Sequence, residues 1–182
     1  MTSLASAPPL EKLTIRKIQL AENTAMGLIR FQSFDHRDDS VEKLEQQLKI
    51  QLPSPGEIIS EGSMHLFWSG PREWIISVPA GTEQDVIDRF KAELNGLLAV
   101  FTAISDSQVV LELSGESARE LLSRGSTVDF CPTRFGRGRS LNTRFAGVSA
   151  MVACPEDDEK FLLIVDRSLA NYMIVWSRAA SV

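Results

Sequence analysis

Cysteine is scarce in this sequence. There are two, Cys131 and Cys154, with no CxxC pair and no histidine at metal-ligand spacing. That argues against a zinc framework and leaves two reduced, mostly buried thiols as the expectation. Long apolar runs are missing too: "FLLIVD" and "NGLLAVFTAI" are the longest, and both fall well short of a membrane span. Positive charge is not in excess. The formal net charge is −5 and the pI about 5.1, which argues against nucleic acid as a partner, because phosphate binding needs a concentrated basic face. The start, "MTSLASAPPLEKLTIRK", has no basic segment followed by an apolar core, so no secretory signal is expected and the cytoplasm is the expected location. No P-loop, GxGxxG or nucleophile elbow is present.

What is present is period. After a loose, Pro-rich leader (1–12), "LTIRKIQL" (13–20) and "MGLIRFQ" (26–32) alternate apolar with polar residues and predict strands. "FDHRDDSVEKLEQQLKI" changes to helical spacing, with Ser40 as N-cap, Val41, Leu44 and Leu48 as the stripe, and "LPSPG" as the stop. "MHLFW" and "WIISV" form a hairpin around Gly70-Pro71-Arg72-Glu73, with Pro71 at the second turn position and Trp68 opposite Trp74. "GTEQDVIDRFKAELNGLL" is a helix capped by Thr82, with Val86, Phe90, Leu94 and Leu97 as its stripe. The second half repeats the order. Strand 107–115 and helix 116–125 precede a hairpin of strands 145–154 and 160–166, and a helix from Ser168 to Ala180 closes the unit. This predicts an α+β protein of two β-α-β-β-α (ferredoxin-like) units, 13–100 and 101–182, each an antiparallel sheet with its helices on one face. The sheet edges could pair into one larger sheet.

The stretch "HLFWSGPREWIISVP" resembles a segment of the gamma subunit of heterotetrameric sarcosine oxidase: an aromatic, a Gly-Pro turn, an acidic residue and a tryptophan leading into an apolar strand, here Trp68, Gly70-Pro71, Glu73 and Trp74. "AISDSQVVLELSGESARELLSRGSTVDF", "SLNTRFAGVSAMVA" and "FLLIVDRSLANYMIVW" follow the same family in order, including Asp129-Phe130, Thr143, Arg167-Ser168 and Trp176. The resemblance covers roughly residues 60–180. It implies a fold like the folate-binding domains of the glycine-cleavage T-protein. It also implies a non-flavin accessory chain, partnered by larger alpha, beta and delta subunits that carry FAD, FMN and NAD. The enzyme it implies demethylates sarcosine oxidatively to glycine, with tetrahydrofolate taking the one-carbon unit. No position here matches an acidic catalytic residue or folate-binding carboxylate of the T-protein, so those roles are not carried over.

The residues themselves offer few catalytic arrangements. "FDHRDD" sets His36 among Asp35, Asp38 and Asp39, as a hard-metal site or as a solvated loop before a helix. His65 suits packing on a strand, and Cys131, beside Arg134, lacks a histidine base. Trp68, Trp74, Tyr172 and Trp176 would make either an aromatic recess or core. The most suggestive segment is "TRFGRGRSLNTR". Its Arg134, Arg137, Arg139 and Arg144, set among glycines, could clasp an anion such as a polyglutamylated folate, meet an acidic partner face, or simply be a solvated loop. Two functions remain open: an accessory subunit docked on larger sarcosine oxidase subunits, or a stand-alone tetrahydrofolate-binding, aminomethyltransferase-like protein.

Overall fold

The computed structural model describes residues 10, 12–15, 17–35, 37–156 and 159–181. The expected helices are there in the expected order, and two of the expected strands, 13–20 and 145–154, are each divided by a tight turn. The first unit runs β3 (Met26–Ser33), α1 (Asp39–Leu48), β4 (Ile58–Glu61), β5 (Met64–Gly70), β6 (Glu73–Pro79) and α2 (Glu83–Glu93). The second runs β8 (Gln108–Ser114), α3 (Ala118–Gly125), β9 (Arg139–Phe145), β10 (Val148–Cys154), β11 (Lys160–Asp166) and α4 (Ala170–Ala180), with a short 3-10 turn before the last helix. Three strands lie outside both runs: β1 (Leu13–Ile15), β2 (Ile18–Glu22) and β7 (Ala99–Ala103).

The five-stranded sheet has the order β4-β5-β6-β3-β7, and the six-stranded sheet β9-β10-β11-β8-β2-β1. Position by position the two correspond, with β7 flanking β3 as β2 flanks β8. The stretch 13–20, expected as one strand of the first unit, is therefore a small hairpin in the sheet of the second. Its alternation shifts phase, from Leu13 and Ile15 to Ile18 and Leu20, because the chain reverses between them.

The sheets do not join into one. They stack face to face through Leu28, Phe67 and Ile75 on one side and Val110, Met151, Leu162 and Ile164 on the other. The outer face of the first sheet is covered by Leu44 of α1 and Ile87 and Phe90 of α2, and that of the second by Leu121 and Leu122 of α3 and Met173 and Ile174 of α4. The result is four layers, helix, sheet, sheet, helix. It explains why "FLLIV" is apolar at every position: both faces of β11 are buried. At one edge the sheets touch through the backbone. There Glu57 bridges Arg139, the Ile58 amide donates to Gly138 O (3.0 Å), and the Ser140 amide donates to Gly56 O (3.1 Å).

Local details differ from expectation for identifiable reasons. Helix α1 begins at Asp39, so Ser40 lies in its first turn and not at the cap. The Asp35 carboxylate accepts the Ser40 amide (3.0 Å) and does the capping work from outside the helix. The Ser40 hydroxyl is the main cause that holds the Asp35 carboxyl below its ordinary range, with the Ser40 and Asp39 amides and the nearby Arg72 adding to it against desolvation. In α2, Ile87 rather than Val86 is the fully buried partner of Phe90. Thr82 precedes that helix as expected, but its hydroxyl donates to Pro79 O (2.7 Å) instead of capping. Ser168 lies in the 3-10 turn, and α4 starts after it.

His65 is a packed histidine on β5. Its backbone amide donates to Ser77 Oγ (2.8 Å) and its Nδ1 meets Ser60 Oγ (2.8 Å). Burial pushes the imidazole below its ordinary 6.5, with Glu156 opposing weakly. The folded ring thus stays neutral where the unfolded ring would take a proton. Stability is full above about pH 6.5 and falls as pH drops towards the lower folded value. Urea midpoints compared at about pH 7.5 and 5.5 should show this loss, and His65→Gln should flatten it. An equally steep loss in the variant would assign the acid sensitivity elsewhere.

Candidate functional site

The tryptophan hairpin is built as its sequence predicts. Trp68 faces Trp74, Gly70 pairs with Glu73, and Pro71-Arg72 form the two-residue loop, with Arg72 at φ 60°. A bulge at Ser69 follows from the register shift between Trp68 and Gly70. The rings, however, are taken up in packing. Trp74 is 9% exposed, stacks on Phe31 (5.6 Å between centroids) and donates its Nε1 proton to Pro53 O (3.0 Å). Trp68 lies partly buried against the same cluster. Trp176 and Tyr172 sit on α4 in the opposite outer layer, with Trp176 edge-on to Phe145 (5.1 Å) and the Tyr172 hydroxyl donating to Ala146 O (2.7 Å). The four aromatics therefore form no common recess. Trp68 and Trp74 pack in the first unit's core and Trp176 against the second's, while Tyr172 is exposed.

His36 lies outside the described residues. The carboxylates around it are engaged locally: Asp38 with Arg72 (2.6 Å), and Asp35 with Ser40 and, more distantly, Arg72 (3.7 Å).

The arginine segment splits in two. Residues 126–138 form a loop that is anchored firmly. Phe130 and Phe135 are each 2% exposed, sunk edge to face into the second unit's core. Arg119 of α3 reaches under the loop and donates to both Phe130 O (2.6 Å) and Phe135 O (2.8 Å), its guanidinium lying over the Phe161 ring (4.9 Å). On this base Arg134, Arg137 and Arg139 are exposed and rim one open recess, with Pro132, Thr133 and Gly136 as its floor. None of the three pairs with a described acidic residue. Arg139 already belongs to β9, and its guanidinium lies against Gly56 at the seam between the sheets. Arg144 does not join them. It stands five residues further along the extended strand, roughly 17 Å away at about 3.4 Å per residue. There it closes over the tight Ala146-Gly147 turn, donating to Gly147 O.

Cys131 is exposed on the same loop, and Cys154 is buried. The Thr133 hydroxyl, 3.4 Å from the sulfur, is the main cause that draws the Cys131 thiol below its ordinary value. A second concavity opens between the two sheets, about 120 Å³ in volume, lined by Arg30, Ser69, Gln108, Asn142, Ser149 and Asp166. Sequence reasoning did not assemble it. The signal that was available is Arg30, a charge inside the apolar run "LIRF".

The sarcosine oxidase gamma subunit family matches residues 36–182. This chain belongs to that family. Its fold is that of a chain of the heterotetrameric sarcosine oxidase from Corynebacterium sp. U-96, solved in complex with pyrrole 2-carboxylate: TM-score 0.81, 19% identity, covering 90% of this chain and 83% of that one. It is similar also to the glycine cleavage system aminomethyltransferase T from Bartonella henselae, at TM-score 0.63 and 12% identity. The match covers 88% of this chain but 45% of that one. The T-protein-like fold expected of a gamma-family chain is thus the fold observed. No curated protein sequence matches the chain. Among the described residues, no helix is long and apolar enough to cross a membrane.

Proposed function

We propose that this chain is the accessory, non-flavin gamma subunit of a heterotetrameric sarcosine oxidase. Its assembly would oxidise sarcosine to glycine and pass the one-carbon unit to tetrahydrofolate. FAD, FMN and NAD belong, in this reading, to the partner subunits, alpha, beta and delta. The observation that carries the proposal is the family match across residues 36–182, on a fold shared with a sarcosine oxidase chain over nine-tenths of its length. The arginine recess supports it. An acidic chain that holds Arg134, Arg137 and Arg139 together on an anchored loop offers a local basic face to an acidic partner surface, and such contacts act mainly on encounter and register.

The alternative, a stand-alone tetrahydrofolate protein, draws on the aminomethyltransferase fold. The aromatic slot that ligand would need does not form among the described residues: Trp74 is committed to Phe31 and Pro53, the inter-sheet cleft, at about 120 Å³, is well below the roughly 300 Å³ at which drug-sized ligand pockets begin, and the arginine recess, at about 590 Å³, is open and has no aromatic residue in its lining.

Co-expression with the larger subunits tests the assignment. The chain should co-purify with flavin-bearing partners, and Arg137→Glu with Arg139→Glu should weaken association by about tenfold or more. Cys131, on the same loop, should alkylate readily in the free chain and be protected in the complex, while Cys154 stays unreactive in both. Unchanged co-purification of the double variant would remove the recess from the interface. Elution alone, with saturable tetrahydrofolate binding, would favour the alternative.

A further inference from the structure

Each of the two sheets has two margins. On one side they close on each other, where β4 and β9 are joined by the Glu57–Arg139 bridge and the amides of Ile58 and Ser140. On the other side they differ. In the second sheet β2 is covered by the antiparallel β1, with Leu13 opposite Leu20 and Ile15 opposite Ile18. β7 holds the place of β2 in the first sheet, and among the described residues no strand pairs with its outer side. The first sheet thus lacks the sixth strand that its counterpart has. The register shows which groups are left. The Phe34 amide donates to Leu98 O (2.7 Å) and the Ile104 amide to Leu28 O (2.9 Å), so the even-numbered residues of β7 turn their backbone to β3. By the alternation of an antiparallel ladder, the N–H and C=O groups of Phe101 and Ala103 turn outward. Natural edges are blunted by charge, proline or brevity. β1 is three residues long, but β7 is five, "AVFTA", with neither charge nor proline. Beside it Phe34, Leu98 and Val100 stand exposed, on the face that stacks on the second sheet at Leu28 and Ile104.

We propose that the first sheet is completed by an extended, uncharged segment of a partner subunit, added antiparallel to the outer edge of β7 as β1 is added to β2. The inference rests on the subunit reading above and names where one partner docks. The backbone sets the occupant's conformation: a row of outward amides and carbonyls is matched by another strand. The apolar shelf sets its side chains. Those that fall on Phe34, Leu98 and Val100 are apolar, because a charge there would lose water and gain no counter-ion from the uncharged stretch 97–105. A second copy of this chain suits the edge less well. A two-fold pairing of β7 with itself would span five residues, roughly 17 Å at about 3.4 Å per residue, which is little beside the about 1,200–2,000 Å² that stable interfaces bury. As one contact within a larger assembly the strand needs no such area of its own. β7 also lies at the margin opposite the seam where Arg139 sits, so the edge and the arginine recess offer partners two separate faces.

The test is amide hydrogen exchange on the full chain, free and in the co-expressed complex. The Phe101 and Ala103 amides should exchange quickly in the free chain and at least about tenfold more slowly in the complex. Two variants accompany it. Ala103→Pro removes an outward donor and leaves the ladder to β3 intact, and Val100→Lys sets a charge on the shelf. Each should weaken association by about tenfold or more, with the melting temperature of the free chain held within about 3 °C. If Ala103→Pro fails to fold, Val100→Lys carries the test. Co-purification with the β7 amides exchanging as fast as in the free chain would overturn this inference and leave the subunit reading in place. Variants that associate as tightly as the unaltered chain would do the same. A concentration-dependent dimer of the free chain, with β7 protected in it, would overturn it in favour of a second copy. Failure to co-purify at all would overturn the subunit reading and this inference together.

Discussion

Replacing Gly115 by alanine should lower the melting temperature by roughly 10 °C. Gly115 follows β8 at φ +110°, a conformation that L side chains rarely adopt. A Cβ there would stand 2.1 Å from Lys17 O and 2.9 Å from Lys17 C, atoms of the backbone turn between β1 and β2. Neither side yields easily. The Gly115 amide donates to Glu159 O (3.2 Å), and the Ser117 amide reaches the same Lys17 carbonyl (3.4 Å). Backbone strain of about 1–3 kcal/mol and overpacking of about 1–3 kcal/mol sum to roughly 4 kcal/mol. In a chain of this size each kcal/mol moves the midpoint by about 2–4 °C. Gly62→Ala is the control: its φ is also positive, +57°, but nothing lies within 4 Å of the added carbon. It should cost about 1 kcal/mol. Thermal melts that failed to separate the two variants would mean that the N-terminal hairpin does not press on Gly115.

Phe31→Ala should cost about 3–5 kcal/mol, read as a fall in the urea midpoint at unchanged slope. Phe31 is fully buried at the centre of an aromatic row. It stacks on Trp74 at 5.6 Å and on Phe101 at 4.9 Å, and Phe101 in turn meets Phe90 of α2 at 5.3 Å. Its removal opens a cavity bounded by rigid rings from β6 and β7, which cannot collapse into it. Phe31→Leu keeps most of the volume and should cost about 1.5 kcal/mol or less. Near-equal effects from the two would show that the row relaxes, contrary to the packing observed.

The central strands were legible because both of their faces are buried. β3, β6, β8 and β11 appear in the sequence as apolar or alternating runs whose limits fall within a residue of the observed ones, and β5 within two. The edges were less so. β4 and β7 are short, with few buried positions each, and their period is correspondingly faint. Two tight reversals hid inside runs taken as single strands. Between Ile15 and Ile18, and again between Phe145 and Ala150, the buried positions switch from odd to even numbers. The second reversal is an Ala146-Gly147 turn with both residues at positive φ, an Ala-Gly pair in place of the usual Asn-Gly or Asp-Gly. Missing β9 made Arg144 look like a companion of Arg134, Arg137 and Arg139. Its place on a strand separates it. The cleft was illegible for another reason. Arg30 and Gln108 lie far apart in the chain, and only the stacking of the sheets brings them to one cavity.

The placement of β2 has a consequence for how the molecule is made. β7 follows directly on the unit it completes, so all five strands of the first sheet have emerged before the second unit begins. β2 is synthesised early, yet its neighbour β8 lies in the second half of the chain. At about 5–20 residues per second, the nascent chain carries that strand without its partner for several seconds. Its pairing is among the most non-local in the fold, and contacts of that kind slow folding. The first sheet can form as the ribosome moves on, while the six-stranded sheet has to wait to recover a strand made long before its neighbour.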